Sequence, residues 1–134
     1  MSINWIISLE FLPTKNHFIE LEKLLKNCQK LKVLFLNMYN MCSKDGEELF
    51  KVLIRSEPTN LNEIRLFDIG WLSSKSLSEF FEKWRGRRAI SILTGQCSVR
   101  DYTKLIHKYQ KDGVIKRFTC ANESCSIFIV HLNG

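Results

Sequence analysis

The stretch Leu31-Lys32-Val33-Leu34-Phe35-Leu36 has the spacing L-x-x-L-x-L, and Leu61-Asn62-Glu63-Ile64-Arg65-Leu66 repeats it thirty residues later. Working outward, Arg87-Arg88-Ala89-Ile90-Ser91-Ile92 and Ile115-Lys116-Arg117-Phe118-Thr119-Cys120 carry the same frame, and Ile7-Ser8-Leu9 precedes Leu34 and Leu36 by twenty-seven residues. Five apolar, alternating segments therefore recur at intervals of 26 to 30. Alternation at period two is the mark of a strand with one buried face.

Between these segments the period changes. Phe18, Leu21, Leu24, Leu25 and Cys28 fall at steps of three and four, as do Leu49, Phe50, Leu53 and Ile54, then Leu77, Phe80, Phe81 and Trp84, then Tyr102, Leu105, Ile106 and Tyr109. Such steps place each set on one stripe of a helix. Seven positions before the leading sites stand Leu24, Ile54 and Phe80, and ten before stand Leu21, Leu77 and Leu105, so the helices share an offset from the strands that follow. A unit of one strand and one returning helix every 20 to 29 residues or so is the signature of a leucine-rich repeat. The predicted fold is α/β, a short leucine-rich-repeat solenoid with parallel strands on the concave side and helices on the convex side.

The predicted strands lie near 5–9, 32–36, 63–67, 89–93 and 115–120, and the helices near 14–29, 45–57, 74–85 and 98–111. Thr14, Ser43, Ser73 or Ser74, and Ser98 with Asp101 can cap the first turns, while Gly86 and Gly113 stand where a left-handed residue ends a helix. The apolar run 126–132 follows Cys120 too closely for another helix. It is expected to form an antiparallel hairpin strand that caps the C-terminal edge.

Composition sets the bounds. At 134 residues, 45% hydrophobic and 25% charged, residues 1–134 suit a single globular domain. No apolar run reaches the roughly 18 residues of a membrane span, and Met1–Glu10 lacks a secretory layout, so the expectation is an intracellular protein, cytoplasmic or nuclear, with no membrane partner. The five cysteines are odd in number and scattered, which fits a reducing compartment. Cys120, Cys125 and His131 form the only suggestive metal cluster, but a structural zinc site takes four ligands, so neither a metal nor another cofactor is expected.

No phosphate loop, zinc-protease helix, nucleophile elbow or paired Cys-x-x-Cys motif occurs, and His17, His107 and His131 have no nucleophile at a motif spacing. The expectation is a binding protein, not an enzyme. Asn122-Glu123-Ser124 fits a glycosylation acceptor that an intracellular chain would not use.

The run from Leu24 through Cys28 and Leu31 to Leu36 resembles the cysteine-bearing leucine-rich repeats of fungal F-box proteins. Leu77–Trp84 and Tyr109–Lys116 look like the last repeats of such proteins, and the resemblance covers about residues 5 to 120. It implies a substrate-recognition domain of a cullin-type ubiquitin ligase, with no F-box expected in the few residues before the first strand. Arg87 stands in place of a leading leucine, and Tyr39, Ile69, Gly95 and Glu123 stand where an Asn or Cys is usual in these repeats.

Two surfaces are candidates for binding. On the concave side the alternation is expected to align Ser8, Phe35, Arg65, Ser91 and Thr119 as one ladder. Glu10, Asn37, Phe67 and Leu93 would flank it on one side, and Val33, Glu63, Ala89 and Arg117 on the other. Phe35, Asn37, Arg65, Phe67, Ser91, Arg117 and Thr119 would contact a protein partner, with Phe35, Phe67 and Arg65 of the types enriched at hot spots. The phenylalanines could equally pack against a neighbouring loop. The second surface follows from charge. Residues 1–83 balance 11 basic against 11 acidic side chains, while 84–134 carry 9 against 3 and hold the whole net +6. Arg85, Arg87 and Arg88, with Arg100, Lys104, Lys108 and Lys111 on the next helix, form a basic corner suited to nucleic acid or an acidic surface, or else a solvated helix face. With so few repeats, the open ends could also mediate self-association.

Overall fold

The computed structural model describes residues 6–67, 71–95 and 102–120. Strand and helix alternate throughout: β1 (Ile6–Phe11), α1 (Lys15–Asn27), β2 (Val33–Met38), α2 (Ser43–Arg55), β3 (Glu63–Phe67), α3 (Ser74–Trp84), β4 (Ile90–Thr94), α4 (Thr103–Lys111) and β5 (Ile115–Cys120). The five strands form one sheet in the order β1-β2-β3-β4-β5, with every neighbouring pair parallel. Each helix returns the chain so that the next strand lies beside the last, and α1 packs on α2, α2 on α3 and α3 on α4. The expected hairpin strand at 126–132, and Ser98 and Asp101 as caps, lie outside the described residues.

One residue set of each strand faces the helices. Leu34, Leu36, Ile64, Leu66, Ile90 and Ile92 are buried there with Leu21, Leu25, Leu49, Leu53, Leu77, Phe81 and Ile106 from the helices. A fully buried side chain of this kind contributes about 1.5–3 kcal/mol. The core therefore runs continuously from one strand–helix unit to the next rather than sitting between two halves. Aromatic rings bind the helices laterally: Phe50 stacks on Phe80 at 4.5 Å, and Phe81 lies 5.1 Å from Tyr109.

The local signals act largely as their chemistry requires. Thr14 caps α1, its hydroxyl accepting from the His17 amide at 3.2 Å, and Ser73 caps α3 by accepting from the Ser76 amide at 3.1 Å. Gly86 and Gly113 both take positive φ, +84° and +78°, just past α3 and α4. At α2 the cap is Cys42 rather than Ser43, and the Asp45 carboxylate reaches back to accept from the Cys42 amide at 3.0 Å.

The strand register corrects the sequence alignment. Across the sheet Leu36 pairs with Leu66, Leu66 with Thr94, and Thr94 with Cys120, so the spacings are 30, 28 and 26. The frame beginning at Arg87 was two residues early: Ile92 and Thr94, not Ile90 and Ile92, continue the series of Ile64 and Leu66. The physical reason is visible at Arg87. Its guanidinium cannot fill a leucine site; it lies over Trp84 and donates from Nη1 to the Ile54 carbonyl at 2.9 Å, while Ala89 takes the leading position. An irregularity between Ile90 and Ser91 then accommodates β5.

Candidate interaction surfaces

The sheet face turned away from the helices carries three rows. The first is Ile6, Val33, Glu63, Ser91 and Arg117, and the second is Ser8, Phe35, Arg65, Leu93 and Thr119. Glu10, Asn37 and Phe67 form the third. The expected ladder is thus corrected at Ser91, which stands beside Glu63 and Arg117, while Leu93 separates Arg65 from Thr119.

The middle of this face is closely packed. Phe35 meets Phe67 edge to face at 4.6 Å, Arg65 forms an ion pair with Glu63, and Phe35 and Arg65 retain only 5% and 4% of their exposure. A guanidinium this buried is held by its partners and cannot also be a free anchor. The expected hot spot is therefore internal to the fold at Phe35 and Arg65. Accessible chemistry lies around it: Phe67, Asn37, Ser91 and Leu93 are half-buried, and Arg117 and Thr119 are exposed. Sequence reasoning missed Tyr39, which is 41% exposed and whose hydroxyl accepts from Asn37 Nδ2 at 3.0 Å. The position directly after β2, one beyond the strand alternation, was the available clue.

The basic corner is only partly a free surface. Arg85 donates from Nε to Glu82 at 2.9 Å and from Nη2 to Asp112 at 2.8 Å, and it lies over the Tyr109 ring. Glu82 also accepts from the Tyr109 hydroxyl at 2.5 Å, and the Arg85 guanidinium with this hydroxyl lowers its carboxyl to about 2. This cluster ties α3 to α4. Arg87 serves the end of α2, as above, and Arg88 donates to Asn62 Oδ1 at 3.3 Å. Lys104, Lys108 and Lys111 are exposed on α4, whereas Arg100 lies outside the described residues.

A corresponding cluster joins α1 and α2. Glu22 accepts from Arg55 at 2.8 Å and pairs with Lys26 at 2.8 Å, and these cations, Arg55 first, lower its carboxyl to about 2. On the helical side, α2 and α3 enclose a groove of about 360 Å³ lined by Phe50, Ile54, Phe80, Glu47, Glu79 and Lys83 among others. At the β1 end, Ile6, Leu12 and Ile19 are exposed.

His17 has a structural partner, its Nδ1 accepting from the Leu12 amide at 2.9 Å. Among the described residues no three His, Cys, Asp or Glu side chains gather as a metal site, and no helix is long and apolar enough to cross a membrane. The Cys120 side chain, Cys125 and His131 lie outside the described residues. Comparison with family models, with curated proteins and with solved structures found no match.

Proposed function

We propose that this chain is a leucine-rich-repeat solenoid that binds a protein partner on its helix-free sheet face, in a substrate-recognition role of the kind F-box proteins perform. The observation that carries this reading is the in-order, all-parallel sheet whose described helices pack on one another and, through their buried stripes, on one face of it. A sheet built that way leaves three rows of side chains from successive coils on one continuous surface, which is the default binding face of a solenoid. Phe67, Asn37, Tyr39, Leu93, Arg117 and Thr119 supply its accessible aromatic, aliphatic, amide and cationic groups. Phe35 and Arg65 act beneath them by fixing Phe67 and Glu63. The role is binding rather than catalysis, and the resemblance to F-box proteins assigns the captured protein to a ubiquitin ligase as substrate.

The test is affinity capture from cell extract with wild type and with a Leu93→Asp, Arg117→Glu double variant, both substitutions being at accessible positions. Proteins held by this face are recovered with wild type and lost with the folded variant, and a cullin subunit accompanies them if the ligase assignment is right. Identical recovery by both chains, with unchanged circular dichroism, refutes the assignment of this face.

A further inference from the structure

We propose a second binding surface, separate from the sheet face: the rim where each helix ends and the next strand begins, which docks the phosphate backbone of a nucleic-acid duplex. Hydrogen bonds between successive turns fix this rim. Asn60 Nδ2 donates to the Gln29 carbonyl at 2.5 Å, the Asn62 amide to the Lys32 carbonyl at 2.8 Å, Arg88 to Asn62, and Arg85 to Asp112. The segments 26–32, 55–62, 85–89 and 111–116 therefore lie side by side in that order.

Together these segments hold nine basic side chains, Lys26, Lys30, Lys32, Arg55, Arg85, Arg87, Arg88, Lys111 and Lys116, against Glu57 and Asp112. Their net charge is +7, while the rest of the chain sums to −1. Dividing the chain into halves conceals this, because Lys26, Lys30 and Lys32 come from the neutral half and join the others only through folding. Glu22, Glu48 and Glu82 reach the rim through their pairs with Lys26, Arg55 and Arg85, and counting them still leaves +4. By contrast, the opposite rim where the chain enters α1 and α2, residues 12–15 and 39–45, sums to +1.

Helix dipoles explain part of the pattern, since cations are favoured in a last turn, and Lys26, Arg55 and Lys111 sit there. That field fades within the turn. It does not account for Lys30, Lys32, Arg87, Arg88 and Lys116, which lie beyond the helix ends. At the centre of the rim a depression of about 410 Å³ is lined by Thr59, Glu57, Arg87 and Arg88 over Trp84.

The chemistry selects the ligand. None of the four segments contains an aromatic residue, and the rings beneath them, Trp84 and Tyr109, are buried under Arg87 and Arg85. Single-stranded nucleic acid is held largely by stacking on aromatic side chains, and protein hot spots are built on Trp, Tyr and Arg in desolvated pockets. Cations with no exposed aromatic face beside them match a backbone that carries one charge per about 1.7 Å of duplex axis. With strands about 4.8 Å apart, four coils extend the rim over about 15 Å, enough for several phosphates.

The experiment is a titration of the whole chain with 20-base-pair DNA and RNA duplexes between 50 and 200 mM salt, read by fluorescence anisotropy. The rim variant is Lys30→Gln, Arg88→Gln, Lys116→Gln. A matched variant off the rim is Lys44→Gln, Lys51→Gln, Lys75→Gln, all exposed, with thermal melts showing that both fold. The expected result is that the rim variant loses at least about tenfold in affinity at 100 mM salt, and the slope of log K against log salt falls by about 2 to 3, at about 0.9 per phosphate contact removed. The off-rim variant should lose less than about threefold. Preference between the DNA and RNA arms identifies which duplex is the natural source. The proposal is overturned if wild type binds neither duplex at 50 mM salt, if both variants lose equally, or if poly-glutamate of equal charge competes as well as duplex, which would make the rim a site for acidic protein.

Discussion

Substituting Gly46 by alanine tests the packing of α2 against the chain that follows β3. Gly46 is buried in the first turns of α2, and a Cβ there would stand 2.6 Å from Trp71 Cζ3 and closer still to Cε3. Carbon atoms rest at about 3.5–4.0 Å, so the indole must move by about 1.5 Å. It has little room: Trp71 is buried, and its ring packs on Phe50 at 5.6 Å. Forcing a methyl into such a site costs about 1–3 kcal/mol, whereas alanine repays at most about 1 kcal/mol in helix propensity. The net expectation is a loss of about 1–2 kcal/mol, or a melting temperature lower by about 3–10 °C for a chain of this size. Urea and thermal unfolding followed by tryptophan fluorescence measure it. In a Trp71→Leu background the same substitution should be neutral or stabilising, because its obstacle is gone. An unchanged or raised melting point for Gly46→Ala alone would refute the close approach of Trp71 to α2.

Further expectations concern the core, a cap and two carboxylates. Leu34→Ala, at a fully buried site between β1 and β3, should cost about 2–5 kcal/mol by denaturant unfolding, whereas Ser8→Ala on the outer face should change little. Cys42→Ser should stabilise by about 0.5–1 kcal/mol in the same assay, since a hydroxyl caps the first turn of α2 better than a thiol. Glu22 and Glu82 are held at about 2 against an ordinary 4.5, so between these values the unfolded chain binds more protons. Stability from both clusters should be complete above about pH 5 and decline as pH falls toward 2. Thermal melts across that range should show a shallower decline for Glu82→Gln than for wild type.

The order and type of elements could be read from the sequence because the signals were local. Leu34, Leu36, Ile64 and Leu66 alternate as strands, Leu21 to Cys28 step as a helix, and Thr14, Ser73, Gly86 and Gly113 mark ends by their own side chains or their lack of one. Register was less legible. Arg87-Arg88-Ala89-Ile90-Ser91-Ile92 matched the repeat frame, and only the packed structure shows that Arg87 is better used on Trp84 and the Ile54 carbonyl, displacing the frame to Ala89 and Ile92. That two-residue displacement moved Ser91 from the row of Arg65 to the row of Glu63. Burial on the outer face was not legible either: Phe35 and Arg65 alternate with core residues as exposed side chains would, and nothing in the spacing reveals that Phe67 and Glu63 pack against them. The basic rim was legible only in part, at Arg85, Arg87, Arg88 and Lys111, since its other cations are scattered along the chain and only the side-by-side packing of the strand–helix units assembles them.

The stacking itself is most directly tested by pairwise cross-linking between β4 and β5. Neighbouring strands are about 4.8 Å apart, within the range a disulfide can bridge. In a background with the native cysteines replaced by serine, Ser91→Cys with Arg117→Cys should oxidise readily to an intramolecular bond, because the two positions are direct partners across parallel strands. Ser91→Cys with Thr119→Cys, offset along the strand, should cross-link poorly. Efficient bridging of the second pair and not the first would contradict the register, and failure of both would contradict the side-by-side coils on which the two proposed surfaces rest.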